Sequence, residues 1–250
     1  MKTTTYIYTF IGMVMLLILA GCERTFDSEG VSRVTTYPEF NFNGDEVLFV
    51  EKGSDFQEPG VSATENGEEI PVVTSVTGTY FVGNAGSTLD TSVPDIYTIN
   101  YAATNSDGFD GVVSRTVFVV AQGDLVTSLE GLYTSTVVRD GASGAQYTDM
   151  EYVFINKTGE NTYEISDGIG GYYDIGRAYG PTYAAQPATF TANDIPSNDF
   201  TFGPAFGVGL FGGVAEITSM QVNAANKTIK FTTEWDSPFT FEVTLKQVQF

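Results

Sequence analysis

Carboxylates are the reactive side chains that this sequence supplies in quantity. It contains 31 Asp and Glu residues, a single Cys and no His. Without His, no Ser-His or Cys-His nucleophile pair can form, and zinc sites of the usual Cys/His kinds are excluded. What remains is a carboxylate pair of the glycosidase type or a calcium site built from oxygen ligands. No particular pair stands out, so we expect a protein that is not an enzyme and has no metal or cofactor.

Two short motifs resemble ion or phosphate sites but are better explained by turns and loops. Residues 107–111 place two carboxylates in one segment, yet Asp-Gly is foremost a hairpin turn signal and the spacing fits no EF-hand loop. Residues 207–212 fit the G-x-G-x-x-G pattern, which binds nucleotides between a parallel strand and a helix. Neither element is predicted there. We expect residues 202–213 to form an apolar loop that packs on its own sheet or contacts a partner.

Aromatic side chains are the best candidates for contact with a ligand. Flat rings stack on the apolar faces of sugars, and Tyr and Trp add a polar group for hydrogen bonding. Four Tyr residues lie among Gly and Pro, a loop-like setting that favours partial exposure. Aromatic residues are also common in β cores, so a purely structural role stays open. The candidate ligand-binding residues are Tyr172, Tyr173, Tyr179, Tyr183 and Trp235.

The N-terminal residues predict export and attachment to a membrane. Lys2 precedes an apolar run over residues 6–20, which is shorter than the ~20 residues that cross a bilayer as a helix. The run ends in Leu19-Ala20-Gly21-Cys22. This ending resembles the bacterial lipobox, which implies that residues 1–21 are a lipoprotein signal peptide. It also implies that Cys22 carries the acyl chains that anchor the protein.

Residues 22–33 are predicted to form an acidic tether. Glu23, Asp27 and Glu29 follow Cys22 closely. Such a stretch resembles the export signal of surface lipoproteins from glycan-foraging gut bacteria, which implies an outer-membrane protein that faces the cell exterior. The formal net charge of −20 repels nucleic acid phosphates and anionic lipid heads. We therefore expect no nucleic acid partner, and we expect membrane attachment to depend on the lipid.

The sequence after residue 30 predicts an all-β fold in two domains. Short runs rich in Val, Ile, Thr, Tyr and Phe alternate with clusters of Gly, Asn, Asp and Pro. Residues 34–121 fit an immunoglobulin-like β-sandwich. Residues 125–250 fit a second antiparallel β domain, either a sandwich or a flattened barrel. The predicted strands are 46–51, 61–65, 70–77, 96–103 and 112–120 in the first domain, and 152–155, 162–165, 216–222, 228–235 and 239–248 in the second.

The first domain carries a series of motifs in a recognisable order. They are Glu58-Pro59-Gly60-Val61, Asp95-Ile96-Tyr97-Thr98-Ile99-Asn100-Tyr101, Asp107-Gly108 and Arg115-Thr116-Val117-Phe118-Val119. This order resembles the bacterial-surface immunoglobulin-like domain, and the resemblance implies a spacer or adhesion module. The sequence departs from that family at Glu58, where the family often has Asp, and at Asp95, where it has Gly.

The second domain begins with Leu129-Glu130-Gly131-Leu132-Tyr133 and later contains Gly176-Arg177-Ala178-Tyr179-Gly180. With the lipobox and the first domain, these motifs resemble accessory outer-membrane lipoproteins of starch-utilisation (Sus) type importers. The resemblance implies as partners a SusC-like barrel and a SusD-like lipoprotein, which import glycans or peptides, and it assigns no binding residues.

Together these features predict a non-catalytic, lipid-anchored accessory component of a SusCD-type importer, with a possible glycan or peptide ligand. A stand-alone glycan-binding lipoprotein is the alternative, and a carboxylate-based hydrolase is a third possibility.

Overall fold

The computed structural model describes residues 34–249, and its main compact unit begins at Tyr37. Strands account for 53% of the structure and helices for 7%, which confirms the all-β prediction. No helix among the described residues is long and apolar enough to cross a bilayer. The signal peptide, Cys22 and the acidic tether lie outside the described residues, so they stay predictions.

Eight strands form the N-terminal immunoglobulin-like domain, in two sheets with the orders β1-β3-β4 and β2-β8-β7-β5-β6. β2 pairs with β8 in parallel, and the other pairs are antiparallel. β7 alternates buried and half-buried residues along its length, as a strand with one face on a core does. The strands are β1 (Glu39–Phe42), β2 (Val47–Glu51), β3 (Val61–Glu65), β4 (Glu68–Ile70), β5 (Val73–Gly78), β6 (Asn84–Gly86), β7 (Asp95–Thr104) and β8 (Asp110–Val120).

One predicted strand of this domain was wrong. The stretch 70–77 is divided between β4, which pairs with β3, and β5, which pairs with β7 in the other sheet. Pro71 lies between them and has no N–H to donate to a sheet. The chain therefore passes from one sheet to the other at this residue.

A buried ion pair explains several of the motif residues. The Arg115 side chain is fully buried, and its Nη1 donates to Oε1 of Glu58. Its Nη2 and Nε donate to the backbone oxygens of Asn43 (2.7 Å) and Asp45 (2.9 Å). The Tyr101 hydroxyl donates to the same Glu58 oxygen at 2.5 Å. Several hydrogen bonds to one buried charge offset the cost of removing that charge from water. Arg115 therefore holds the loops that contain Asn43, Asp45 and Glu58 against the sandwich.

The remaining ten strands form one curled half-barrel sheet with the order β12-β15-β16-β17-β18-β9-β10-β11-β13-β14. The predicted hairpin is β10–β11, and the predicted three-stranded meander is β16–β17–β18. β9 and β12–β15 were not among the predicted strands. The strands are β9 (Gly131–Arg139), β10 (Met150–Lys157), β11 (Thr162–Ile165), β12 (Ala185–Gln186), β13 (Ala188–Asp194), β14 (Asp199–Phe202), β15 (Phe206–Val208), β16 (Gly212–Asn223), β17 (Thr228–Trp235) and β18 (Phe239–Gln247).

Short helical turns connect several of these strands, and all four carry aromatic residues discussed below. A π-helical turn directs the rings of Tyr172 and Tyr173 against Phe241, at centroid distances of 5.4 and 6.3 Å. The turns are Ala145–Tyr147, Tyr172–Gly176, Pro181–Tyr183 and Gly209–Phe211.

An apolar cluster joins the first domain to the second. Phe118 of β8 packs edge-to-face on Tyr152 of β10, with ring centroids 5.6 Å apart. Beside this pair of rings, the Lys52 ammonium donates a 2.5 Å hydrogen bond to the Glu130 carboxylate. The buried members are Val120, Leu132 and Phe154, and Tyr80, Phe81, Ile96, Phe118, Tyr152 and Val248 pack against them.

Asp95 shapes the loop that reaches across this junction. Its buried carboxylate accepts backbone N–H groups of Tyr80 (2.9 Å), Phe81 (2.9 Å) and Ile96 (2.8 Å). Burial raises the pKa of Asp95, and these N–H groups counteract the rise. Asp95 therefore presents Tyr80 and Phe81 to the second domain, which gives the family departure at this position a structural role.

Candidate functional site

An exposed group of apolar side chains lies on the second domain. We define it as the aromatic patch, which consists of Tyr179, Tyr183, Leu210 and Phe211. Leu210 is 71% exposed, and Tyr179 and Phe211 are each 47% exposed. A soluble protein seldom leaves adjacent large apolar side chains in water without a binding role, so this patch is the candidate functional site.

The three rings of the aromatic patch contact one another at steep angles. The centroid distances are 5.2 Å for Tyr179–Tyr183, 5.0 Å for Tyr183–Phe211 and 6.2 Å for Tyr179–Phe211. The corresponding interplanar angles are 60°, 60° and 53°. The surface of the patch is therefore uneven, and its three rings face in different directions.

Buried aromatic rings support the patch from below. Phe211 lies 4.6 Å from the Tyr173 ring and 6.2 Å from the Trp235 ring. Tyr173 and Trp235 in turn pack at 6.1 Å with an interplanar angle of 75°. Edge-to-face packing of this kind stabilises ring orientation beyond simple burial, so Phe211 is held on an ordered base.

Two glycines allow the patch loop to approach its neighbours. Gly209 has φ +43°, and a Cβ built there would lie 2.4 Å from the Tyr183 Cα. Gly213 has φ +73°, and its Cβ would lie 2.5 Å from the Trp235 Nε1. Any larger residue at either position must displace backbone or the indole. Gly209 of the G-x-G-x-x-G pattern thus packs against the turn Pro181–Tyr183, and its neighbour Gly213 packs against Trp235 at the end of β17. The pattern is followed by strand β16 and not by the helix that a phosphate site of this kind requires.

The structure separates the predicted ligand-binding residues into two groups. Tyr179 is exposed and Tyr183 is half-buried, as the loop setting predicted. The expected exposure of Tyr172 and Tyr173 was wrong, because their turn folds inward against the core and leaves them 3% and 7% exposed. Trp235 is 8% exposed and lies beneath Phe211. Ligand contact at these five residues stays a prediction, and Cys22 lies outside the described residues.

Beside the patch is a cluster that we call the Tyr–Arg cluster, formed by Tyr147, Tyr172, Arg139 and Arg177. The Tyr147 and Tyr172 rings are stacked with centroids 4.1 Å apart. The Arg139 guanidinium carbon lies 4.9 Å from the Tyr172 centroid, and that of Arg177 lies 5.8 Å from it. These distances are in the cation–π range, so both charges are held at one aromatic stack.

Sequence reasoning missed Phe211, Arg139 and Arg177 as site residues. Leu210 and Phe211 were recognised as part of an apolar loop, and the signal for exposure was that glycines flank them on both sides. The two arginines are 38 positions apart in the sequence, and nothing local indicates that they approach one ring. The turn at Tyr172–Gly176 brings them together.

The remaining motifs do not form sites among the described residues. Residues 107–109 lie in the turn between β7 and β8, and residues 110–111 begin β8. Gly108 has φ +85°, and the Asn105 side chain accepts the Phe109 N–H at 2.7 Å. No group of three or more Asp, Glu, His or Cys residues within 34–249 is arranged to hold a metal ion.

Two family models match the chain. The model of the bacterial surface protein Ig-like domain matches residues 40–119. The model of the C-terminal domain of BT2262-like lipoproteins matches residues 122–247, which is half of the chain. The chain belongs to the BT2262-like lipoprotein family.

A solved structure agrees with this assignment to the BT2262-like family. The crystal structure of the lipoprotein BT2262 from Bacteroides thetaiotaomicron is 28% identical to this chain, with a TM-score of 0.57. The match covers 84% of this chain and 100% of that chain. No curated protein matches the sequence. As a BT2262-like protein with a surface Ig-like domain, the chain is a cell-surface lipoprotein.

Proposed function

We propose that this protein is a non-catalytic lipoprotein of the outer membrane, facing outward, which captures a glycan or peptide at its aromatic patch as an accessory component of a SusCD-type importer. The observation that carries the proposal is the exposure of Tyr179, Phe211 and Leu210 together on one face of the second domain. The anchor predicted at Cys22 and the sequence resemblance to accessory Sus lipoproteins support the location and the importer role.

The build of the molecule suits presentation of a ligand. The first domain lies between the predicted anchor and the second domain in the sequence, and the apolar cluster around Phe154 joins the two domains. The patch is fixed to the second domain by buried rings rather than by a long mobile loop. Preorganised rings lose little conformational freedom when a ligand binds, so the patch is ready to bind without rearrangement.

A second role is favoured by the polar groups near the patch. A depression of about 290 Å³ is lined by Val214, Glu216, Glu234, Trp235 and Asp236. Carboxylates beside aromatic rings can accept hydrogen bonds from sugar hydroxyls, which fits a stand-alone glycan-binding lipoprotein. The two roles differ in the proteins that associate with this chain. An accessory component copurifies with importer proteins, and a stand-alone binder does not.

Affinity electrophoresis tests capture at the patch. The mature chain with Cys22→Ser, and so without lipid, is run through gels that contain single polysaccharides or immobilised peptides. We expect Tyr179→Ala and Phe211→Ala each to weaken binding about fivefold, since one stacked ring contributes roughly 1 kcal/mol. The matched control is Phe109→Ala, because Phe109 is 49% exposed on the first domain. Equal retardation of all three variants would remove the patch as the binding site.

A further inference from the structure

The Tyr–Arg cluster lies directly beside the aromatic patch and is connected to it by shared rings. Tyr173 stacks on Tyr179 of the patch with an interplanar angle of 10° and centroids 6.3 Å apart. The Tyr173 hydroxyl also lies 3.3 Å from Nη1 of Arg139, which donates to it. A ligand that covers Tyr179 therefore passes close to the charges of the cluster.

Within residues 34–249, both arginines of the cluster lack an acidic partner. Among residues 34–249, Lys52 pairs with Glu130 and Arg115 pairs with Glu58. Neither Arg139 nor Arg177 forms an ion pair with any residue in that range. This is unexpected in a chain with 31 acidic and 11 basic residues, where a free cation is easily paired.

The surroundings of Arg177 keep it charged and accessible. The Arg177 side chain is exposed. Hydrogen bonding to the hydroxyls of Tyr172 and Tyr147 raises the pKa of Arg177 above its usual value. A guanidinium has five N–H donors in a planar fork, which matches the two oxygens of a carboxylate. The cluster thus offers donors that no carboxylate of the described chain uses.

We propose that the Tyr–Arg cluster and the aromatic patch together bind an acidic glycan, a polysaccharide whose uronic acid carboxylates are held by Arg177 and Arg139 while neighbouring sugar rings rest on Tyr179 and Tyr183. Tyr hydroxyls both donate and accept hydrogen bonds, so they match the hydroxyl groups of such a sugar chain. This inference rests on the proposed capture of a ligand at the patch and names the class of that ligand.

The positive charges of Arg139 and Arg177 favour an acidic glycan over a neutral one. A polyanion is repelled by most of this protein's surface, because the full chain has a formal net charge of −20. Binding must then depend on the place where positive charge is gathered. A neutral glycan would need no such place, and the unpaired arginines would serve it little.

The test compares glycans that share a backbone and differ in charge. Affinity electrophoresis of the mature Cys22→Ser chain at 150 mM NaCl, roughly physiological ionic strength, uses gels with polygalacturonate and with its fully methyl-esterified form. We expect strong retardation by the acidic form and at least tenfold weaker retardation by the ester. Equal retardation by both forms, or retardation by the ester alone, overturns the acidic ligand and leaves capture at the patch standing.

Variants locate the carboxylate contact. We expect Arg177→Gln to weaken binding of polygalacturonate at least tenfold, with Arg177→Lys intermediate because it keeps the charge and loses the fork. Lys246→Gln removes the same charge from an exposed position on β18 and should change binding less than twofold. Unchanged melting temperatures establish that the variants fold. If Arg177→Gln and Lys246→Gln weaken binding equally, the cluster is not the site.

A gel with an acidic peptide tests whether the bound carboxylates belong to a peptide instead of a glycan. Immobilised poly-glutamate presents carboxylates on a peptide backbone, without sugar rings. Retardation by poly-glutamate together with no retardation by polygalacturonate, alginate or hyaluronan would overturn the glycan and point to acidic peptides. No retardation by any of these four would overturn the inference.

Discussion

The hydroxyl of Tyr80 in the first domain donates a 2.7 Å hydrogen bond to Oδ2 of Asp174 in the second domain. Asp174 directly follows Tyr173, whose ring supports the aromatic patch. The turn Tyr172–Gly176 is therefore held on one side by the first domain and on the other by the patch. This bond connects the domain junction to the candidate site through two adjacent residues.

We expect Tyr80→Phe to lower the free energy of unfolding by about 1–3 kcal/mol, because a buried carboxylate loses its partner. Burial raises the pKa of Asp174, and the bond from Tyr80 lowers it. Without the bond, the pKa of Asp174 in the folded protein rises further. The loss should then be small where Asp174 is protonated and larger above that pKa, so it is greater at pH 8 than at pH 4.5. Urea unfolding at both values checks this.

The control for that comparison is Tyr37→Phe, which removes a hydroxyl from a residue that is 60% exposed. Its effect should be near zero at both pH values. A Tyr80→Phe variant as stable as the wild type at pH 8 would show that the bond contributes nothing at the junction.

The buried carboxyl of Asp167 should make the stability of the protein depend on pH in a second way. It is 1% exposed, and burial raises its pKa to about 7. The unfolded carboxyl ionises near pH 4, while the folded one keeps its proton until about pH 7. Stability from this group is thus highest below pH 4, falls as pH rises to about 7, and then stays level. Asp167→Asn cannot ionise, so its stability relative to wild type should rise by roughly 2–4 kcal/mol between pH 4 and 8.

Thermal melting across that pH range measures the difference. Asp167→Asn keeps an oxygen to accept the Ile169 N–H, which lies 2.8 Å from Oδ1 in the wild type. Asp236→Asn, an exposed site, serves as the control and should show no comparable trend. A constant difference between Asp167→Asn and wild type would mean that Asp167 ionises normally.

Loss of the buried ion pair between Glu58 and Arg115 should destabilise mainly the first domain. Glu58→Gln leaves the fully buried Arg115 without its counter-ion, so we expect a loss of about 3–5 kcal/mol. Hydrogen exchange should accelerate in β1 to β8. The single Trp235 lies in the second domain, so its fluorescence transition should shift less. Glu69→Gln, on the exposed side of β4, is the control. Equal acceleration in both domains would contradict a local effect.

Much of the fold could be predicted from alternation and turn residues, because β7, β8, β17 and β18 carry long regular patterns. The short strands β12, β14 and β15 could not, since two to four residues show no periodicity. Their pairing depends on partners elsewhere in the sheet. The same limit applies to the division of 70–77 between two sheets, for which Pro71 was the one local signal.

The candidate site was predicted in part for a similar reason. Tyr179 and Tyr183 were identified from their Gly- and Pro-rich surroundings, which report local exposure. Arg139 and Arg177 were not, because their approach to Tyr172 is a property of the folded turn. Residue type indicates which side chains can bind, and three-dimensional packing decides which of them meet.

The most direct test of the proposed role is a mild-detergent pull-down of the tagged native lipoprotein from its own membranes, with its companions quantified by mass spectrometry. We expect a SusC-like barrel and a SusD-like lipoprotein to copurify in amounts comparable to the tagged protein, and a Cys22→Ala variant, which lacks the predicted anchor, to recover neither. Recovery of the native protein alone, under conditions in which the barrel and its lid lipoprotein copurify with each other, would contradict the accessory role.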